Sequence, residues 1–418
     1  MNGLKVTLIT PRYWPLTGGE ATQVAHLAGG LLRLGAEPTV VSPGYESTWP
    51  RRFTHGGVPI VRPPVRTGRL WRKTTVATAV RHWLESAAER IDCICVSGFG
   101  DDAATTLKWA AARDVPVVLR VGGADLASPD SSRAQQQRRR ESALHSAAAL
   151  IAPTASIAAQ LIAAGFPRER VKTIAPGVAD LRLQDGRAAA ETKAAARAAL
   201  AALDPLRGMP DLAPLTLCFA SRAASEGVEN LVKAWPAIVG RWPNARLWIV
   251  GEGPWRDALV RKVDTLRLAG RVVLPGVFEN TRELLLAADL YVHPASHAGP
   301  SIGLLEAMAA GLPVIASEAA GREFIEPARH GLVVPAADSD ALAEAITRLI
   351  DRTDEAKRLG QAAGALASQR YSAEAMAANH LRLFQELTAA DLRHPPHDVG
   401  PPKSKQRARS SSDRQHSR

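Results

Sequence analysis

The segment 5–42 changes its hydrophobic period twice, and that change limits the chain to one kind of architecture. KVTLIT at 5–10 reads as an apolar strand, followed by a loop containing Pro15 and Gly18-Gly19. Val24, Leu27, Ala28, Leu31 and Leu32 then recur on one helical face, Gly35 stops the helix, and 38–42 reads as a second strand. Two apolar strands joined through a helix make a βαβ unit, in which the strands lie parallel. Further apolar strands follow at 91–96, 115–121 and 150–152, with helical segments between them. A second series begins after residue 213, with strands at 215–220, 246–250, 272–274, 290–293 and 314–316. Two consecutive α/β halves of comparable size predict two doubly wound domains.

The expected divisions are a first domain at 1–180, a linker with a helix at 181–213, and a second domain at 214–371. A helix at 372–392 follows, with Met376, His380, Leu383, Phe384 and Leu387 roughly on one face. The end, 393–418, is expected to be a basic disordered tail. From His394 onward six Lys or Arg stand against Asp398 and Asp413, so that +4 of the net charge of +11 lies there.

At 418 residues, 46% of them hydrophobic and 22% charged, most of the chain is expected to be globular. Cys93, Cys95 and Cys218 have no metal spacing and form no even disulfide set, and the first two alternate within an apolar run, which points to a buried strand in a reducing compartment. The opening MNGLKVTLIT is too short in its apolar run for a signal peptide, and no window approaches 18 apolar residues, so no membrane span is expected. The expected location is cytoplasmic, at or near the inner face of the cytoplasmic membrane. Arg62, Arg66, Arg69, Arg72, Lys73 and Arg81, interleaved with Trp71 and Trp83, read either as a solvated basic face or as a membrane-docking one. No motif of a nucleic-acid module appears, so no nucleic-acid partner is expected.

The stretch 290–318, LYVHPASHAGPSIGLLEAMAAGLPVIASE, reads as strand, Gly-Pro-Ser loop, short helix and strand, with Gly311 as helix stop. Such a step puts a helix N-terminus at a strand's carboxyl end. The first amides there, at Ser301, Ile302 and Gly303, favour a phosphate, whereas Glu306 one turn on suits a ribose hydroxyl. Gly18-Gly19 and Gly251-Glu252-Gly253-Pro254 follow strands in the two halves. Neither is the dinucleotide-binding G-x-G-x-x-G, but both allow close backbone approach to a ligand in a cleft between facing domains.

Taken together, GGEATQVAHLAGGLLRLGAEPTVVSP at 18–43, LWIVGEGPWRDAL at 247–259, ELLLAADLYVHPAS at 283–296, GLLEAMAAGLPVIAS at 303–317 and GLVVPAADSDALAEAI at 331–346 resemble the family 4 glycosyltransferases in order and spacing. The resemblance covers about 5–390. It implies a GT-B fold with a closing helix that crosses back to the first domain, a nucleotide-diphosphate sugar held mainly by the second domain, and retention at the anomeric carbon. It also implies no cofactor and no required metal, and a glycan, lipid-linked or small-molecule acceptor. By the same resemblance Arg222 meets the donor diphosphate, Glu306 the ribose, and Gly18 and Gly19 the distal phosphate. Gly253 and Val277 lie by the nucleobase, and Gly299, Pro300, Ser301, Ile302 and Gly303 line the phosphates.

Three departures surround the sugar. Glu226 stands before Gly227 where the family has Lys, in a loop one residue short. Gly122 stands where the family has His, although Asp125 of that motif remains as a catalytic candidate. Ala298 replaces the first of two Glu, with His297 beside it as a candidate sugar contact. The same sequence therefore also fits a binding or scaffold protein with a degenerate site and, further down, a sugar-nucleotide epimerase.

Overall fold

A computed structural model describes residues 3–16, 18–65, 75–87, 91–122, 146–181, 186–203, 213–220, 227–278, 280–296 and 301–391. The first half contains β1 (Lys5–Ile9), β2 (Glu37–Val41), β3 (Arg52–His55), β4 (Val58–Val61), β5 (Cys93–Ser97), β6 (Val117–Arg120), β7 (Ala149–Ala152) and β8 (Val171–Thr173). They form one sheet in the order β3-β4-β2-β1-β5-β6-β7-β8, parallel except for the β3-β4 hairpin at its edge. The second half contains β9 (Leu215–Phe219), β10 (Arg246–Val250), β11 (Val272–Gly276), β12 (Leu290–His293), β13 (Val314–Ser317) and β14 (Leu332–Val334). Their sheet is parallel throughout, in the order β11-β10-β9-β12-β13-β14.

The strand pleat explains why these runs are apolar on both faces. Leu8, Val40, Cys95 and Val118 face one layer, while their neighbours Ile9, Val41, Ile94 and Leu119 face the other. Helices cover both layers, as parallel sheets require. Cys93, Cys95 and Cys218 are buried, and none forms a disulfide among the described residues. In the first helix, Gly19–Arg33, Val24, Leu27, Ala28 and Leu31 are buried, but Leu32 is 38% exposed, so the apolar stripe is one residue narrower than the sequence pattern suggests. Arg62, read from sequence as part of a solvated or membrane-docking basic face, is 2% exposed.

The linker contains a helix, Gly186–Leu203, held to the second sheet through Asp289 just before β12. Asp289 Oδ2 accepts from Arg197 Nη2 at 2.6 Å and from the Leu215 amide at 2.7 Å, and its Oδ1 accepts from Lys193 Nζ. The last helix, Ala373–Asp391, returns to the first half and packs on Gly19–Arg33. A Cβ on Gly30 would lie 2.4 Å from that of Ala377, so glycine is what permits this approach. At the corner, Gln23 Nε2 donates to the Gly177 carbonyl at 2.6 Å while its Oε1 accepts from the Gly177 amide at 3.0 Å. Val178 pairs with the turn before the returning helix, the Val178 amide donating to Tyr371 at 2.8 Å and the Ala373 amide to Val178 at 3.0 Å.

His380 sits inside this seam at 1% exposure. Its Nδ1 lies 2.8 Å from the Met376 carbonyl, which can only accept, so Nδ1 carries the proton and the buried Nε2 is left without a partner. Burial, helped by the charge of Arg120, pushes its pKa down to about 3. The unfolded chain takes up that proton near an ordinary histidine value of about 6.5, so it binds more protons than the fold between there and about 3. Stability contributed by the neutral ring is thus lost as pH falls through that window. The thermal midpoint is expected to drop between about pH 7 and about pH 5, and His380→Asn to flatten the slope; identical slopes in the two proteins count against this account.

Candidate functional site

Both sheets present their carboxyl ends to the space between the halves, and the site builds from the loops there. In the second half Ser301 caps the helix Ile302–Ala309, its Oγ accepting from the Leu304 amide at 3.1 Å. The first intrahelical bond of this segment runs from the Leu305 amide to the Ser301 carbonyl at 3.2 Å, so the amides of Ile302 and Gly303 precede the helical ladder. They form the positive end of the helix dipole at the carboxyl end of β12. Gly303 is held to glycine by packing, because a Cβ would lie 2.6 Å from the Phe219 ring and 2.7 Å from the Tyr291 hydroxyl.

The first half meets this helix end directly. A Cβ on Gly19 would lie 3.0 Å from Ile302 Cγ1, and Gly18 has φ +134°, a conformation that side chains disfavour. The glycine pair and the helix start are therefore neighbours across the cleft.

Glu306 lies one turn along the helix, half-buried as a residue. Burial of its carboxyl pushes the pKa up to about 7, and a hydrogen bond with the Thr281 side chain pulls the other way. Thr281 belongs to the connection after β11, so Glu306 faces the same loop as Val277, which is 51% exposed. Gly253 lies after β10, where a Cβ would lie 2.3 Å from Trp255 Nε1. His293, the polar end of the otherwise apolar strand β12, sets its Nδ1 3.3 Å from Ser301 Oγ. Its position at the carboxyl end of a buried strand was a usable sequence signal. Thr281 had none, because only the fold carries it to Glu306.

The loop bearing Arg222 and Glu226 lies outside the described residues, as do Asp125, His297, Ala298, Gly299 and Pro300. The flanks of the first loop are described. Gly251, with φ +145°, leaves room for the Ala220 carbonyl, and Gly227, with φ +78°, for that of Pro294. The loop thus springs from the end of β9, between β10 and β12. The structure brings Gly18, Gly19, Ser301, Ile302 and Gly303 together, with Glu306 next to them on the same helix.

Two family models match the chain: a glycosyl transferase 4-like domain over 18–177 and glycosyl transferases group 1 over 214–352. Among similar curated proteins, the lipopolysaccharide core biosynthesis glycosyltransferase LpsE of Rhizobium meliloti is 29% identical over 176 residues, 42% of this chain and 51% of that protein. The phosphatidyl-myo-inositol mannosyltransferase of Mycobacterium leprae is 33% identical over 199 residues, 46% of this chain and 51% of that protein. The chain spans about half the length of the curated relatives it matches. Among solved structures, HepE of Anabaena in complex with UDP and glucose superposes with TM-score 0.74 at 19% identity, covering 92% of this chain and all of that one. Sucrose-phosphate synthase of Thermosynechococcus elongatus gives TM-score 0.75 at 22% identity, covering 93% of this chain and all of that one. The chain belongs to the glycosyl transferases group 1, family 4, and its fold is GT-B.

Gly227 tests the anchoring of the Arg222 loop. A Cβ there would lie 1.9 Å from the Pro294 carbonyl oxygen in a left-handed backbone, so Gly227→Ala is expected to cost more than about 1 kcal/mol. Chemical denaturation measures it, and an unchanged midpoint refutes the packing argument.

Proposed function

We propose that the chain is a retaining glycosyltransferase that moves a hexosyl group from a UDP- or GDP-sugar to a glycan, lipid-linked or small-molecule acceptor. The observation that carries this reading is the capped start of Ile302–Ala309 facing Gly19 across the cleft, with Glu306 one turn further on. Support for a nucleotide sugar comes from relatives named as GDP-mannose-dependent mannosyltransferases and from neighbours solved with UDP. The acceptor classes follow relatives named for lipopolysaccharide core and phosphatidylinositol mannosides.

In this reading the helix amides and Arg222 take the donor diphosphate, Gly18 and Gly19 approach its distal phosphate, and the Glu306 carboxylate accepts from the ribose hydroxyls. Gly253 and Val277 border the base, and Gly299 and Pro300 shape the phosphate loop. The anomeric C–O bond to the phosphate breaks and a C–O bond to the acceptor forms on the same face. The acceptor proton passes to the departing phosphate oxygen, so no side-chain nucleophile, cofactor or metal is required. Asp125 and His297 then act in positioning acceptor and sugar. The work takes place in the cytoplasm, at the inner face of the membrane when the acceptor is lipid-linked.

Calorimetry with a panel of UDP, GDP, TDP and ADP sugars tests the reading. Arg222→Ala is expected to weaken donor binding by about 1.5–3 kcal/mol, as for a lost charged hydrogen bond, and Glu306→Ala to abolish it. No heat from any nucleotide sugar or nucleoside diphosphate would instead identify a degenerate site, the reading that Gly122, Glu226 and Ala298 favour.

Glu306 also sets a pH dependence. Ribose hydroxyls donate to its ionised form, so binding releases the proton held below about pH 7, and affinity should fall as pH drops through that value. Glu306→Gln should remove the dependence. Parallel pH profiles for the two proteins would rule it out.

A further inference from the structure

Arg62 is a buried cation that the donor site does not use and, unlike the buried Arg197, it faces no carboxylate among the described residues. It directly follows β4, with its amide donating to the Arg51 carbonyl at 2.8 Å, and it is 2% exposed. Three rings enclose its guanidinium: Phe53 at 4.4 Å, Trp49 at 4.8 Å and Trp14 at 6.0 Å from the ring centroids. Nη2 donates to the Trp14 carbonyl, whereas the buried Nη1 meets no hydrogen-bond acceptor among the described residues. Burial alone draws its pKa down, with no carboxylate opposing the shift. Cation–π contacts offset part of the cost of a desolvated charge, but they leave the Nη1 protons unsatisfied.

The place of this cation in the fold gives it a direction. β4 runs parallel to β2, and β2 to β1, so Arg62 lies on the same rim as the turn that carries Gly18 and Gly19. Trp14 belongs to that turn. Trp14 is 37% exposed as a residue, and its ring stacks on His55, with centroids 5.5 Å apart and planes 17° from parallel. A partly exposed tryptophan therefore lies beside an unsatisfied cation at the first domain's edge of the cleft. One guanidinium edge is taken by the Trp14 carbonyl, which leaves Nη1 to a single acceptor oxygen of an anion.

We propose that Arg62 and Trp14 form a binding site for a phosphate group on the acceptor. The phosphate accepts from Nη1 once a side-chain shift at the partly exposed Trp14 uncovers it, and the Trp14–His55 pair borders the sugar or apolar surface beside it. That the phosphate belongs to the acceptor rests on the transfer reading above; the anion site itself does not.

The test uses the full chain. Calorimetry with glycerol 3-phosphate, and with glycerol as the neutral control, reads the soluble source of phosphate. Sedimentation with phosphatidylcholine vesicles, with and without phosphatidylglycerol, reads the lipid source. Saturable binding of glycerol 3-phosphate but not glycerol is expected, weakened at least tenfold by Arg62→Gln, the scale of a lost charged hydrogen bond. The thermal midpoint of Arg62→Gln should hold or rise, because a neutral amide removes an uncompensated charge. Glu306→Gln should bind glycerol 3-phosphate as the parent does. Vesicle binding that needs both phosphatidylglycerol and Arg62 assigns the phosphate to a lipid headgroup, and Arg62-dependent binding of glycerol 3-phosphate alone assigns it to a soluble acceptor. Unchanged affinity in Arg62→Gln, or no binding of either probe, overturns the proposal. So does a large fall in midpoint with affinity intact, which would make Arg62 a packing residue. Should Arg62→Gln not fold, Trp14→Ala at the exposed ring takes its place, and unchanged affinity again overturns it. If nucleotide sugars give no heat while glycerol 3-phosphate binds, the donor reading fails and the anion site stands.

Discussion

The cleft depends on a seam on its far side, where the last helix lies on the first. Gln23 engages both the amide and the carbonyl of Gly177, and the Gly177 amide also approaches Met376 Sδ at 3.1 Å. Residue 177 has no room for a side chain, since a Cβ would lie 2.6 Å from Ala373 Cα. Gly30 allows the two helices to touch at Ala377. These contacts are buried and short and centre on the Gly177 backbone, so they fix how the two sheets face each other. The cleft side is held more lightly. There the Ser156 amide, near a helix start in the first half, donates to Glu323 of the second at 2.9 Å in an exposed setting, and Gly19 rests against Ile302. Among the described residues, then, the seam carries buried contacts and the cleft side exposed ones.

Most of this frame was legible because parallel strands are buried on both faces and announce themselves as apolar runs. The strands at 246–250 and 290–293 fall where the pattern put them, and the closing helix buries Met376, His380, Leu383 and Phe384 as its spacing foretold. The β3-β4 hairpin was not legible. RFTH is mostly polar, which the edge position of β3 tolerates, and Pro59 interrupts VPIV even though β4 pairs on both sides. β8 and β14, three residues each, carry too little pattern to separate from loops. Leu32 looked like core because periodicity cannot see that the hairpin turn at Gly57 meets it from outside.

The site divides along the same line. Glycines with a steric reason could be suspected from sequence, because Gly251 and Gly303 stand at strand ends and helix starts where backbones converge. Environments could not. The raised pKa of Glu306 depends on burial and on Thr281, and the isolation of Arg62 depends on three rings from different segments. A run of arginines in sequence reads as solvated, since charges are rarely buried unless paired. The structure reverses that for Arg62 alone among the described members of the run, because β4 ends under Trp14.

Glu306 and Arg62 are shifted by burial for the same reason and with opposite sign. Each is an ionisable group that burial pushes toward neutrality, one in each half of the cleft rim. A fold selected for stability alone would replace both with apolar residues, because an uncompensated buried charge costs more than its local contacts return. Hydroxyl donors at Glu306 and an anion at Arg62 would relieve both, and each would act through one fixed hydrogen-bonding group rather than a mobile surface side chain. Ligand binding then gains twice: new bonds form, and a desolvation cost already carried by the empty chain is not incurred again. In the proposed reading, Glu306 and Arg62 would thus serve binding more than the stability of the fold.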